Sequence, residues 1–305
     1  MTIRNLAQTL SQRAQSYLLL NQPEPAWYDL ALVHDLCQIL EAKPSGKPVT
    51  LIGAMIHVAV AGLHAGIVQD GLRLHAWREP QLLAIEQQLQ QTDLLPSVVE
   101  ALKEERAATS QTIGSTKRSE LGKLFSFDDS KSKLLLDWMP RGWFYQNMAM
   151  GARIEQELLT SIDPSNQLVW PHQADKYYHQ LEARLKHDSP YTFLVAIATP
   201  NFRRAVQTVA RNQTQVNQAR IACALERYHL AQAQYPETLD ALTPRYIDKL
   251  PHDLIGGQPL IYHRTDGGGY LIYSIGWDEI DNGGVRGKTT EEGDWVWELR
   301  SDGAE

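Results

Sequence analysis

Apolar positions in the first part of the chain recur at intervals of three and four residues. In AWYDLALVHDLCQILEA, Trp27, Leu30, Val33, Leu36 and Leu40 fall on one stripe, the period of an amphipathic helix. The run before it, NLAQTLSQRAQSYLLL, is also helical in pattern. Pro23 and Pro25 in NQPEP break that pattern and start the next helix. KPSGKP then makes a loop, and LIGAMIHVAVAGLHAGIV, EPQLLAIEQQLQQ and LPSVVEALKEERAA continue the series. Helices joined by short turns predict antiparallel hairpins, assembled as an array over residues 1–125. The Leu51–Val68 run has 18 residues without a formal charge, the lower limit for crossing a bilayer. Its His57, His64 and glycines suit a buried helix with close neighbours better, so no direct membrane span is expected.

Residues 126–189 have a different character. Polar sequence gives way to LLLDWMPRGWFYQNMAMGARIEQELL, where Trp138, Trp143, Phe144 and Tyr145 crowd around Pro140 and Arg141. Two roles are open to Trp138, Arg141, Trp143 and Tyr145: a plug between domains, or a ligand platform of rigid aromatic area. A helix is predicted from Ala174 to Lys186. In residues 190–305, Phe202, Val206, Val209, Val216, Ala219 and Cys223 keep to one side of a long helix. The prediction runs from Asn201 to Ala233, with Pro200 in the first turn and Tyr235-Pro236 after the end. A short helix follows from Thr238 to Leu242. PLIYHR and GYLIYSI, separated by TDGGG, form an antiparallel hairpin, and DWVWEL supplies a third strand. Three strands alone are marginal, so the sheet is expected to lie on the C-terminal half of the long helix. The fold class is therefore mainly α with a small C-terminal antiparallel β-sheet.

The 305 residues carry a net charge of -7, which argues against non-specific nucleic-acid binding. Cys37 and Cys223 are too few for a disulfide framework. The start of the chain has no basic stretch followed by an apolar core, the mark of a secretory signal. His34 and Cys37 have ligand spacing, but no second pair accompanies them, and the histidines read as structural or surface groups. No nucleotide fingerprint or hydrolase elbow is present. Glu105 has two readings. It pairs with a distant arginine such as Arg141 or Arg153, or it joins Asp137 as the carboxylates of a hydrolase.

The last third resembles the globular part of the major pseudopilin of type II secretion. The resemblance rests on TPNFRRA (Thr199–Ala205), ALERYHLAQAQYP (Ala224–Pro236), HDLIGGQPLIY (His252–Tyr262), YSIGWDEIDNGG (Tyr273–Gly284) and the GDWVW after it. It implies a long helix packed on a pilin-like three-stranded sheet. The whole arrangement is similar to a group of helical proteins of planctomycete and verrucomicrobial type that has no assigned activity. Many of that group carry a membrane helix near the start. On that pattern the chain is a piece of a longer protein of the cell envelope or periplasm, and otherwise it is cytoplasmic. The segment here lies deep inside the chain and YTFLVAIATP offers only ten largely apolar residues, so assembly into a pilus is not expected.

Asp278 to Glu305 contains nine acidic and three basic residues. Asp278, Asp281 and Asp294 flank a glycine-rich loop with two readings: hard oxygen ligands suited to calcium, or a solvated acidic loop that holds no metal. The resemblance implies the same ion, with Asp278 and Asp294 matching loop aspartates of the family. The favoured function is a non-enzymatic scaffold or protein-interaction module, associated with the envelope and binding another envelope protein. The alternative is the carboxylate hydrolase around Glu105.

Overall fold

The computed structural model describes residues 2–42, 50–115, 140–185 and 193–300. Among the described residues five helices come first: α1 (Ile3–Leu19), α2 (Pro23–Glu41), α3 (Leu51–Arg73), α4 (Glu79–Gln90) and α5 (Leu95–Ser115). Then come α6 (Arg141–Leu159), the two-residue strands β1 (Ile162–Asp163) and β2 (Leu168–Val169), α7 (Pro171–Leu185) and α8 (Phe193–Gln232). A 3-10 turn (Leu239–Leu242) leads into β3 (Ile261–Arg264), β4 (Tyr270–Ser274) and β5 (Trp295–Leu299). The protein is mainly helical, with a small C-terminal three-stranded antiparallel sheet packed on α8.

Local chemistry sets the helix ends. Thr2 and Thr50 cap α1 and α3, their hydroxyls accepting from Asn5 N at 3.3 Å and Gly53 N at 3.1 Å. Arg13 of α1 donates to the buried Asp29 of α2 at 2.8 Å, which fixes the first hairpin. Leu30 and Val33 of α2 are fully buried, and Trp27, Leu36 and Leu40 pack on the same core. α3 is the one described helix long and apolar enough to cross a membrane, and half of its most apolar window is buried. His57 and His64 lie inside the core with Val58, Val60, Ala61 and Ala65. A Cβ on Gly62 would stand 2.1 Å from Asn212 Oδ1, so a larger residue there would displace the Asn212 side chain of the long helix.

α8 has 40 residues, about 60 Å at the ordinary helical rise. It begins eight residues before the predicted Asn201, so Pro200 sits in the interior rather than the first turn. The apolar stretch before Pro200 contains no turn residue, and the helix runs on through the proline at the loss of one backbone bond. From Val206 to Leu225 apolar side chains are buried on more than one side: Val209, Ala210, Val216, Ala219, Ile221, Ala222, Cys223 and Ala224 are all inaccessible. The helix is a central spine. The array, chiefly α3 and α4, packs on one side and β4 and β5 on another.

Buried polar groups on the spine set the register of what it touches. Gln213 accepts from Leu94 N at 2.8 Å and donates to Thr92 O at 3.2 Å, holding the entry to α5. Gln218 donates to Trp295 O at 2.6 Å, holding the first residue of β5. Arg220 and Arg227 pair with Glu86 and Glu79 of α4.

In the sheet β4 is central, paired as Ile261↔Tyr273 with β3 and Ser274↔Trp295 with β5. Trp295, Trp297 and Leu299 alternate with more exposed neighbours and bury one face, as the sequence pattern requires. Asp253 locks the turn before β3. Its carboxylate accepts from Ile255 N, Ser274 Oγ and Ile275 N, and burial pushes it up to about 6. The connector between the array and α8, which holds α6, β1, β2 and α7, is stitched to this end of the molecule. Val169 N donates to Leu254 O at 2.9 Å, and Asp175 of α7 accepts from Arg203 and Trp277.

Candidate functional site

The three aspartates with a calcium reading and a metal-free reading lie in the loop between β4 and β5. Asp294 is buried and accepts from Asn282 N and Gly284 N, at 3.1 and 2.7 Å. Asp278 accepts from Ile280 N and Gly293 N, and Asp281 from Gly283 N and Tyr273 Oη. Each carboxylate is thus turned toward N–H and O–H donors that order the loop. Gly293, at φ +70°, permits the close return: a Cβ there would stand 2.3 Å from Gly287 N.

Of the Glu105 pair, Asp137 lies outside the described residues. Glu105 is half-buried on α5 and lines a cleft of about 620 Å³ with Arg4, Arg204 and aliphatic side chains of α3. Among the described residues no ion pair joins it to Arg141 or Arg153. The buried acid beside it is Glu155 of α6. Burial pushes Glu155 up to about 7, against the pull of Arg106 and with Glu105 adding to the rise. Trp138 is also outside the described residues. Arg141 and Tyr145 are exposed on the first turns of α6, Trp143 is half-buried, and Phe144 is the buried one among the described members of this group. The aromatic residues therefore surround a helix turn instead of sharing one face.

A polar cleft of about 260 Å³ lies between the array and the sheet. α3 gives Gln69 and Arg73, α8 gives Arg211 and Gln215, and the β4–β5 loop gives Arg286 and Thr289. Glu292 and Asp294 also reach its wall, the latter already engaged by backbone amides. Three arginines from distant parts of an acidic chain thus line one opening.

A second constellation sits where α8 ends. His75 follows α3 in a left-handed conformation, φ 45°. Its Nδ1 lies 2.6 Å from Glu226 Oε1. Glu226 is only 2% exposed, and its other oxygen accepts from Tyr235 Oη at 2.8 Å. Burial pushes the Tyr235 phenol up and Glu226 adds to this, so the hydroxyl keeps its proton. His229, one turn beyond Glu226, stacks between His75 and Tyr235 with ring centroids 5.8 and 4.6 Å away. His229 Nδ1 is buried without a hydrogen-bond partner. One donor atom from each of His75, Glu226 and His229 lies within 4.8 Å of the others. Sequence reasoning missed this group because His75 stands 151 residues from Glu226. Its one local signal was the Glu-x-x-His spacing of Glu226 and His229.

No family profile matches the chain, and no curated protein or solved structure matches it significantly.

Proposed function

We propose that the protein is a non-enzymatic scaffold whose spine holds a helical array and a pseudopilin-like module as one unit, for binding an acidic segment of another envelope protein. The observation behind this reading is the cleft between the two parts. Arg73, Arg211 and Arg286 come to it from the array, the spine and the module. The chain as a whole has a net charge of -7, yet this cleft sets three arginines against the two carboxylates of Glu292 and Asp294, a small local excess of positive charge that favours a negatively charged partner. Arg286 is held by a bond to Val296 O at 3.1 Å, and Gln218 behind it fixes β5 against the helix. Its β5 wall is therefore fixed and Arg286 is placed before a partner arrives, which limits part of the ordering cost of binding.

A photo-crosslinker placed at Gln69 or Thr289 tests this in cells. Both positions should capture the same partner, and Arg211→Glu should abolish capture without changing thermal unfolding, since Arg211 is exposed. Capture indifferent to charge reversal at both Arg211 and Arg286 would sink the proposal.

The hydrolase reading keeps one supporting observation. Glu155, buried and pushed up to about 7 beside Glu105, has the character of a general acid. Turnover of a glycoside, ester or peptide that disappears in Glu155→Gln and Glu105→Gln would favour it over the scaffold.

A further inference from the structure

We propose that His75, Glu226 and His229 bind a divalent transition-metal ion, with zinc the best match, clamping the corner after α3 to the end of the spine. Two imidazoles and one carboxylate are the donor set of a three-ligand zinc site with an open fourth position. Zinc bonds of about 2.0–2.1 Å require donors roughly 3.3 Å apart in a tetrahedron. The three donors already converge within 4.8 Å. His75 Nδ1 and Glu226 Oε1, now 2.6 Å apart, need only separate slightly to admit an ion between them. The His75 side chain is 44% exposed, so it has room to move and leaves a path for the ion.

The surroundings of Glu226 favour a cation. A buried carboxylate needs compensation for its lost hydration. The arginines on either side along α8 are committed elsewhere: Arg220 to Glu86, and Arg227 to Glu79 and Tyr246 O. His75 is the ion-pair partner that Glu226 has among the described residues. Tyr235 Oη holds Oε2, leaving Oε1 facing the imidazoles, as a hydrogen bond behind a metal ligand does. His229 brings a buried nitrogen that nothing else satisfies. The left-handed backbone at His75 is a cost that a side chain retained for ligation would explain.

The test uses the full chain stripped with chelator. Zinc should bind with one-to-one stoichiometry by calorimetry and raise the unfolding temperature, because it binds the folded state alone. Cobalt should give the visible absorption of a tetrahedral ion, and calcium should not displace it, since the donors are largely nitrogen. His75→Ala changes a half-exposed corner residue and should keep the fold while weakening zinc at least tenfold. His229→Ala should do the same. Tyr235→Phe should weaken zinc by about 10- to 100-fold and keep the cobalt spectrum, as expected for a positioning residue. Absence of zinc binding would overturn the proposal and leave a His75–Glu226 ion pair in place of the metal. Zinc binding of unchanged affinity in both histidine variants would overturn it too, by placing the ion elsewhere.

Discussion

His75 and His64 stand toward opposite ends of the range of burial among the described histidines. His75 reaches solvent at a helix corner, while His64 is sealed inside the array at 3% exposure. Burial, with His34 nearby, pushes His64 down to about 3, so it is neutral in the folded state at all ordinary pH. The unfolded chain takes up a proton at this residue below about pH 6.5. Between that pH and about 3 the unfolded state binds more protons, so the His64 contribution to stability falls as pH falls. Asp253 and Glu155 act in the opposite sense, since their raised values let the fold hold protons that the unfolded chain has released. The raw pH profile mixes these effects, and a variant separates them. The stability difference between the wild type and His64→Leu should fall by about 1.4 kcal/mol per pH unit between pH 6 and 4. Urea unfolding at several pH values measures it, and a pH-independent difference would mean that His64 is protonated in the fold. The sequence placed His57 and His64 on a buried helix correctly, because a chargeless run with glycines is a local signal. It was silent on Glu226, His229 and His75 as a group. Proximity across the fold depends on where α3 stops, and no spacing in the chain encodes it.

At the scale of elements, α8 decides the architecture. Its period was legible from Phe202 to Cys223, and the three strands followed from alternation and a glycine-rich turn. Its start was not legible, because Pro200 reads as a first-turn residue and here lies inside the helix. The hairpin of β1 and β2 was also missed. Strands of two residues carry no alternation, and their anchor is a tertiary bond, Val169 N to Leu254 O. The polar residues of the spine would read as a solvated face by composition. Instead Gln213 and Gln218 are buried and bonded to backbone groups of the elements packed against them. A break in the spine should therefore be felt on both sides. Ala219 is fully buried, between Gln218 and the Arg220 that pairs with α4. Proline there removes a backbone bond and clashes with the preceding turn, at about 3 kcal/mol or more. Ala219→Pro should lower the denaturation midpoint and weaken near-ultraviolet signals from Trp295 and Trp297. An unfolding temperature within a degree of wild type would contradict the spine.

For the whole molecule, the question is whether the C-terminal part is a unit in its own right. The sheet alone has too few strands to stand without the helix. The helix in turn buries Val206, Val209 and Ala210 within the core it shares with the array. Cutting before residue 190 removes α3, α4 and α5, and with them the partners of Gln213, Arg220 and Arg227. Val206 and Val209, inaccessible in the whole chain, would meet water along one side of an exposed helix. Full burial of each such side chain stabilises by about 1.5–3 kcal/mol, and a folded domain has only about 5–15 kcal/mol in all. Loss of a few such contacts and of the bonds to α4 and α5 is therefore enough to unfold the remainder. The connector adds to the dependence, since Asp175 of α7 holds Arg203 and Trp277 together at the other end of the sheet. Residues 190–305 expressed alone should give poor amide dispersion and no cooperative transition, whereas the full chain should unfold in one step by circular dichroism and tryptophan fluorescence. A dispersed spectrum and a sharp transition from the fragment would make the module independent. The spine would then be a tether between two separate domains, and a cleft between them would have no fixed shape to offer a partner.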